Sequence, residues 1–429
     1  MLNVFLLFSL SIIFFYFFKN PELALSIQFN GTLLYFYFMY KSGLETTTFL
    51  TGSFHAFLVF SYISAGIFLL LIRKNPKFKF SSIDITFIVF FCVVFISYLV
   101  LGKTFTKISY APLLVIAPYF GIQLLSSQRK IKKFFKYCIF ITSFITILSY
   151  YELFSNPLFQ KSSRFSLYIF PEKYGTYKNP ILLAITFSVL SLILLLKIFE
   201  GRNKFKLIYL SIFIPSVYLI FRSGSRGSSL AFLVTISFYF LFIAKITLKK
   251  NFYIVLFIIL LIMGSLIFLP ETTKIFYIST IEAQYNPATS IYKRIILINE
   301  AFNDFKKSPI WGIGTGNSAS GYGSPHNIIL EVFVEWGMIG FIIFFIMCYI
   351  PIKIALRFIK KEKNQDLNFM MKLSFILFLF FLVRSMWGGY VTNYIGFFIT
   401  ISLISILEKI RKNNFKFKRE TLFIKAVKQ

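Results

Sequence analysis

The residues able to do polar chemistry in this chain stand where apolar sequence begins. Ser324-Pro325-His326-Asn327 runs straight into Ile328-Ile329-Leu330-Glu331-Val332-Phe333-Val334-Glu335-Trp336-Gly337-Met338-Ile339-Gly340. An imidazole and an amide thus open a helix that carries two carboxylates before it becomes wholly apolar. An imidazole, with an ordinary pKa of about 6.5, suits removal of a proton from a hydroxyl. The bland alternative is that His326 and Asn327 merely cap the helix. Arginines supply the complementary chemistry: Arg222 and Arg226 in Phe221-Arg222-Ser223-Gly224-Ser225-Arg226-Gly227-Ser228-Ser229, then Arg294, then Arg384. A guanidinium offers a planar fork of donors that grips phosphate oxygens in pairs and stays charged at any working pH. Glu331 and Glu335 are placed to orient His326 or an incoming hydroxyl. No pair of catalytic carboxylates and no Asp-rich outward motif stands out, which argues against a two-carboxylate hydrolase and gives a metal no obvious seat.

The elements that must position these groups are membrane helices. Of the 429 residues, 57% are hydrophobic and 21% aromatic. The apolar residues come in runs of about 20, the length a helix needs to cross roughly 30 Å of hydrocarbon. The pattern predicts an all-α polytopic membrane protein with spans near 2–18, 22–40, 49–72, 83–101, 108–126, 134–152, 180–199, 205–221, 228–247, 252–270, 328–350, 369–386 and 390–407. That is thirteen, or twelve if the run broken by Gln28, Asn30 and Gly31 does not cross by itself. Residues 1–18 have no basic stretch before them and no small-residue cleavage site after them, so they read as a retained span. The organisation is then a bundle over 1–270, a large loop over 271–327, further spans over 328–407 and a basic tail over 408–429.

A net charge of +30 is compatible with nucleic acid until the charges are located. Lys and Arg gather at 73–79, 129–136, 197–206, 245–250, 353–372 and 409–428, which hold 30 of the 46, and each group follows an odd-numbered span. That is the positive-inside pattern: these loops and the C-terminal tail face the cytoplasm, the alternate loops face outward, and no nucleic acid is implied. The turn holding Arg222 and Arg226 then faces outward, where arginine needs another reason to be present. An anionic ligand is one, and reaching for lipid headgroups is the other. Arg384 falls near the same end, where it lines the same cavity or pairs with Glu152 or Glu331. His55 and Asp84 read as interior hydrogen-bonding residues, and Cys92, Cys138 and Cys348 as core or lipid-facing ones.

Two outward loops are long. In the first, roughly 153–179, Pro, Gly and Asn are expected to break any regular element. In the second, Ile291, Ile295, Ile298, Phe302 and Phe305 recur with helical spacing and predict a helix near 290–307, lying along the membrane interface with Arg294 beside the mouth of the bundle. Ser308-Pro309 stops it. The Gly312, Gly314, Gly316 run that follows lacks the strand and helix of a dinucleotide fingerprint. It reads either as backbone that lets a substrate approach or as a flexible loop.

Ser225-Arg226-Gly227, then Arg294 with Ser308-Pro309-Ile310-Trp311-Gly312-Ile313-Gly314, then His326-Asn327 followed by Gly337-Met338-Ile339-Gly340, together resemble the O-antigen ligase and polymerase superfamily. The resemblance implies a GT-C-like multi-helix fold with a partly helical periplasmic loop, in the bacterial inner membrane. It implies transfer of a glycan from undecaprenyl pyrophosphate to a glycan or lipid A-core-like acceptor, without a nucleotide sugar, metal or other cofactor. Arg226 and Arg294 match arginines thought to hold the pyrophosphate, and His326 matches a histidine proposed to activate the acceptor. Gly337 and Gly340 match a pair that packs helices below the site. Arg222, Arg384, Asn327, Glu331 and Glu335 remain inferences from position. A ligase and a polymerase fit the residues equally in kind, and a lipid-linked oligosaccharide flippase is the competing class, disfavoured because the polar residues gather at one face and no internal repeat is seen.

Overall fold

A backbone in hydrocarbon has no water to bond, so its polar groups are satisfied within helices. The computed structural model describes residues 20–27, 29, 80–102, 115–156, 164–166, 170–172, 175–177, 180–200, 205–244, 256, 263–264, 267, 269–271, 273, 290–317, 327–388 and 394–427. Along these run α1 (Pro21–Ser26), α2 (Ser82–Leu101), α3 (Ala117–Gln123), α4 (Gln128–Ser155), a small hairpin of β1 (Phe170–Glu172) and β2 (Gly175–Tyr177), α5 (Pro180–Glu200), α6 (Lys206–Arg222) and α7 (Arg226–Phe238), which a π turn extends to Ile243. Then come α8 (Ser290–Lys307), α9 (Ile328–Lys361), α10 (Gln365–Arg384) with a 3-10 turn to Trp387, and α11 (Ile395–Val427).

Six of these, α2, α4, α5, α7 with its π turn, α9 and α10 with its 3-10 turn, are long and apolar enough to cross a membrane. They coincide with six of the predicted spans, and the chain is a multi-pass α-helical membrane protein. Helix α6 and the start of α11 fall on two more. The spans predicted at 2–18 and 49–72, most of 22–40 and 252–270, and His55 lie outside the described residues. One expectation is corrected: the 153–179 loop does hold a regular element, the antiparallel hairpin pairing Phe170 with Tyr177 and Glu172 with Gly175.

The core runs the length of α5 and α10 and along one face of α2, α4, α9 and α11. Large apolar side chains left exposed, such as Leu99, Phe140, Ile147, Leu241 and Phe345, are those a lipid tail would cover. Hydroxyls buried in the helices donate back to their own backbone, as Thr146 does to the Thr142 carbonyl at 2.9 Å and Ser188 to that of Ala184 at 2.8 Å.

Charged ties join the helix ends that carry the basic runs. Asp84 forms a capping box with Ser81 at the start of α2, accepts from Tyr119 Oη at 2.7 Å and Ser405 Oγ at 2.9 Å, and pairs with Lys409 at 2.7 Å. A buried carboxylate is tolerable only when so fully engaged, and this one holds α2, α3 and α11 together. Asp84 is therefore the interior hydrogen-bonding residue expected. Glu200 of α5 takes Lys372 of α10 at 2.8 Å and Tyr239 Oη at 2.7 Å. Like ends meet like ends, as alternating spans require.

Helix α9 is broken. Gly337 takes φ 60° and ψ −160°, a conformation essentially confined to glycine. The break strips helical partners from neighbouring backbone groups, and the segment after α8 supplies them. Ile313 N donates to Val334 O at 2.9 Å and Gly314 N to Glu335 O at 3.0 Å, while Met338 N donates to Pro309 O at 2.9 Å and Ile339 N to Ile310 O at 3.3 Å. Trp336 Nε1 donates to Thr315 Oγ1 at 2.8 Å, and Thr315 donates on to Val94 O at 2.9 Å, tying the segment to α2. The Gly312–Gly316 run is thus neither a flexible loop nor a substrate cradle at these atoms. It is the splice of a broken helix, and Gly337 is the break itself.

Gly337→Ala is expected to destabilise the protein by about 1–3 kcal/mol from backbone conformation alone, and by more because its Cβ would meet the Ile310 carbonyl and Gly312 N. Gly264→Ala, where nothing lies within 4 Å, is the neutral control. Thermal unfolding of the two purified variants in detergent checks this, and equal melting temperatures would refute it.

Candidate functional site

At the end of the bundle away from the basic runs, α6 closes at Arg222 and α7 opens at Arg226, so Ser223, Gly224 and Ser225 make the whole reversal. Gly224 takes φ 66°, which a side chain would resist, and its N–H donates to Phe221 O at 3.0 Å. Ser228 and Ser229 suit capping of α7 by sequence, but the helix starts ahead of them. Ser228 instead accepts from Ser225 Oγ at 3.0 Å and from Arg384 Nε at 3.0 Å. It is a junction between α7 and the last residue of α10.

Gly227 explains how these helices come so near. A Cβ there would lie 2.6 Å from Trp387 Cβ and 3.8 Å from Arg384 Nη1. Arg384 is 5% exposed. Its hydrogen bond goes to Ser228, not to Glu152 or Glu331. The charge within electrostatic range of it is Arg294 on α8, another cation. Tyr394, just before α11, lies within range of Arg384, Arg294 and Glu331 and donates its hydroxyl to Ser385 O at 3.1 Å. Burial lowers the Arg294 pKa from the ordinary arginine value, and Tyr394 acts in the opposite direction. A guanidinium stays charged even so.

Arg226 is the first residue of α7, half-buried, two residues from Ser228. A cation there faces the positive end of the helix dipole, which disfavours it. Asn327 caps α9, its Oδ1 accepting from Ile329 N at 2.9 Å and Leu330 N at 3.2 Å. Glu331, in the first turn, and Glu335, one turn on, are both buried. Arg222 is tied elsewhere: its Nη1 donates to Thr273 Oγ1 at 3.0 Å and its carbonyl accepts from Phe165 N at 3.1 Å. His326 lies outside the described residues, next in the chain to the Asn327 cap.

The structure therefore brings together Arg294, Arg384, Glu331 and the turn that carries Arg226. Sequence reasoning missed Tyr394 and the joining role of Ser228. The available signal for Tyr394 was its place in the short link between two spans, at the same end as Arg384. For Ser228 there was none, because its partner is 156 residues away.

Clustered guanidinium groups beside helix N-termini form a receptor for a multiply charged oxyanion. Fold and cluster together define a polytopic helical membrane protein with arginines gathered at one end. A family model described as O-antigen ligase matches residues 210–345. Over that segment, about a third of the chain, the protein is similar to the O-antigen ligase family. The matched residues include Arg222, Arg226, Arg294, His326, Asn327, Glu331 and Glu335, while Arg384 and Tyr394 lie beyond them. No curated protein shows a significant match to the chain.

Gly227→Val is expected to cost about 1–3 kcal/mol through overpacking against Trp387, and Trp387→Ala in the same chain to recover most of it. A double-mutant cycle of thermal stabilities reads this directly, and additive effects would mean that the two residues do not press on each other.

Proposed function

We propose that the protein is an inverting glycosyltransferase of the ligase type. It moves a glycan from undecaprenyl pyrophosphate to an acceptor hydroxyl, the acceptor being a glycan or a lipid A-core-like molecule. The observation that carries this reading is the meeting of Arg294, Arg384 and the Arg226 turn beside the N-terminus of α9, at the end opposite the basic runs. With the basic runs cytoplasmic, that end faces the periplasm across the inner membrane and the C-terminus faces inward. The donor's diphosphate reaches this level with its polyprenyl tail still in lipid.

In the reaction His326 takes the proton from the acceptor hydroxyl, and the resulting oxygen attacks the anomeric carbon from the face opposite the diphosphate. The bond from that carbon to the diphosphate oxygen breaks, and the electron pair leaves on undecaprenyl pyrophosphate. A single displacement inverts the anomeric centre. Charge grows on the departing oxygen as the bond breaks, so Arg226 and Arg294 act most strongly in the transition state. Burial sharpens the effect, because little water competes for them.

His326→Ala is expected to lower transfer by about 10²–10⁴ while leaving membrane insertion and donor binding intact. Normal surface glycan in that mutant would remove the histidine from the mechanism. Arg294→Lys tests paired recognition: a point charge cannot reproduce the fork, so donor use should fall. Wild-type transfer by this variant would show that charge alone suffices. The glycan of a deletion strain separates ligase from polymerase, with long carrier-bound chains expected for a missing ligase and single repeat units for a missing polymerase.

A further inference from the structure

The reaction above uses Arg226, Arg294 and His326 and leaves Arg384 without a task. Yet Arg384 is the most constrained cation at that end. It is 5% exposed, its Nε is fixed on Ser228 at 3.0 Å, and Ser228 is itself held by Ser225 at 3.0 Å. Its Nη1 is buried with no hydrogen-bond partner among the described residues. Gly388 and Gly227 border its terminal nitrogens. A Cβ at Gly388 would stand 3.5 Å from Nη1 and 3.6 Å from Nη2, and one at Gly227 3.8 Å from Nη1.

A buried guanidinium with an unused donor and a second cation in range is costly unless an acceptor of opposite charge arrives. Among the described residues no carboxylate forms an ion pair with it. The missing partner has the chemistry of a phosphate oxygen, a strong acceptor with the negative charge that Arg294 and Arg384 both lack. We propose that Arg384, aimed by Ser228, is a third arginine of the donor site and gives Nη1 to a non-bridging oxygen of the diphosphate. This rests on the transferase reading above. The diphosphate is already charged before the glycosidic bond breaks, so Arg384 binds ground and transition states alike. Its loss raises the donor KM and changes kcat little.

The test uses the full chain in phosphatidylcholine nanodiscs, with inorganic pyrophosphate as the probe and thermal stabilisation as the readout. Wild type is expected to be stabilised, Arg384→Gln to need about 10–100 times more pyrophosphate, and Ser228→Ala and Arg384→Lys to fall between. Should Arg384→Gln fail to fold, the other two variants, which keep the cation, decide the matter. In transfer assays the donor KM should rise likewise while kcat stays within about threefold of wild type, a split that a packing defect does not produce. Wild-type pyrophosphate binding by Arg384→Gln, with Arg294→Gln abolishing it, would overturn the assignment of Arg384 and leave the transferase intact. No pyrophosphate binding by wild type would overturn both. If phosphatidylglycerol nanodiscs suppress the pyrophosphate effect in wild type but not in Arg384→Gln, the site belongs to lipid headgroups and the proposal fails.

Discussion

The site depends on a helix break that another part of the chain repairs. In hydrocarbon an unpaired backbone group costs several kcal/mol, so a break such as that at Gly337 survives only where its freed N–H and C=O groups find partners. The segment from Pro309 to Gly314 supplies them in two pairs, donating on one side of the break and accepting on the other. That segment is the direct continuation of α8. Sealing the break therefore also pins the C-terminal end of α8 to α9, and Phe305 meets Phe333 edge to face at 5.5 Å beside the splice. Arg294 is carried on the same rigid helix, three turns and more from its anchor. The glycines serve this arrangement by letting one backbone press against another.

A second constraint acts on the opposite side of the site. The reversal from α6 to α7 leaves Arg226 at a helix N-terminus, and the absence of a side chain at Gly227 lets α7 lie against Trp387. Ser228 then catches Arg384 at the end of α10. The two halves, α8 with α9 and α7 with α10, each bring cations to one place. Coulomb repulsion between such cations is strongest where water is scarce. Nothing in the packing of an apolar bundle calls for that expense, which a bound polyanion would turn into attraction.

Much of this was legible in the sequence because membrane insertion imposes simple rules. Apolar run length marked the six helices that are long and apolar enough to cross a membrane. The spacing of Ile291, Ile295, Ile298, Phe302 and Phe305 is helical, and a helix, α8, runs over Ser290–Lys307. Its buried face was less legible. Leu297 and Ala301 are the buried residues, whereas Ile295 and Phe302 of the predicted stripe are 43% and 52% exposed. Periodicity finds a helix but does not say which of two adjacent apolar stripes meets protein and which meets lipid. The helix break was hidden for a different reason. Gly337 and Gly340 look like packing glycines, since a strained backbone angle leaves no trace beyond the glycine itself. The partners that make it tolerable belong to a loop more than twenty residues upstream.

The two ends of the bundle show opposite uses of charge. At the basic end Asp84 is met by Tyr119, Ser405, Gln123 and Lys409, so that its burial is compensated many times over within the protein. Such a network has no use for a ligand and specifies how α2, α3 and α11 pack. At the other end Arg384 receives one hydroxyl and faces a like charge. Both are buried ionisable groups in a membrane protein, and depth alone does not separate a structural one from a functional one. Completeness of the surrounding hydrogen bonds does. A carboxylate fully answered by its neighbours stabilises the fold, while the Arg384 guanidinium keeps a buried donor to spare, the donor that the proposed diphosphate contact would use.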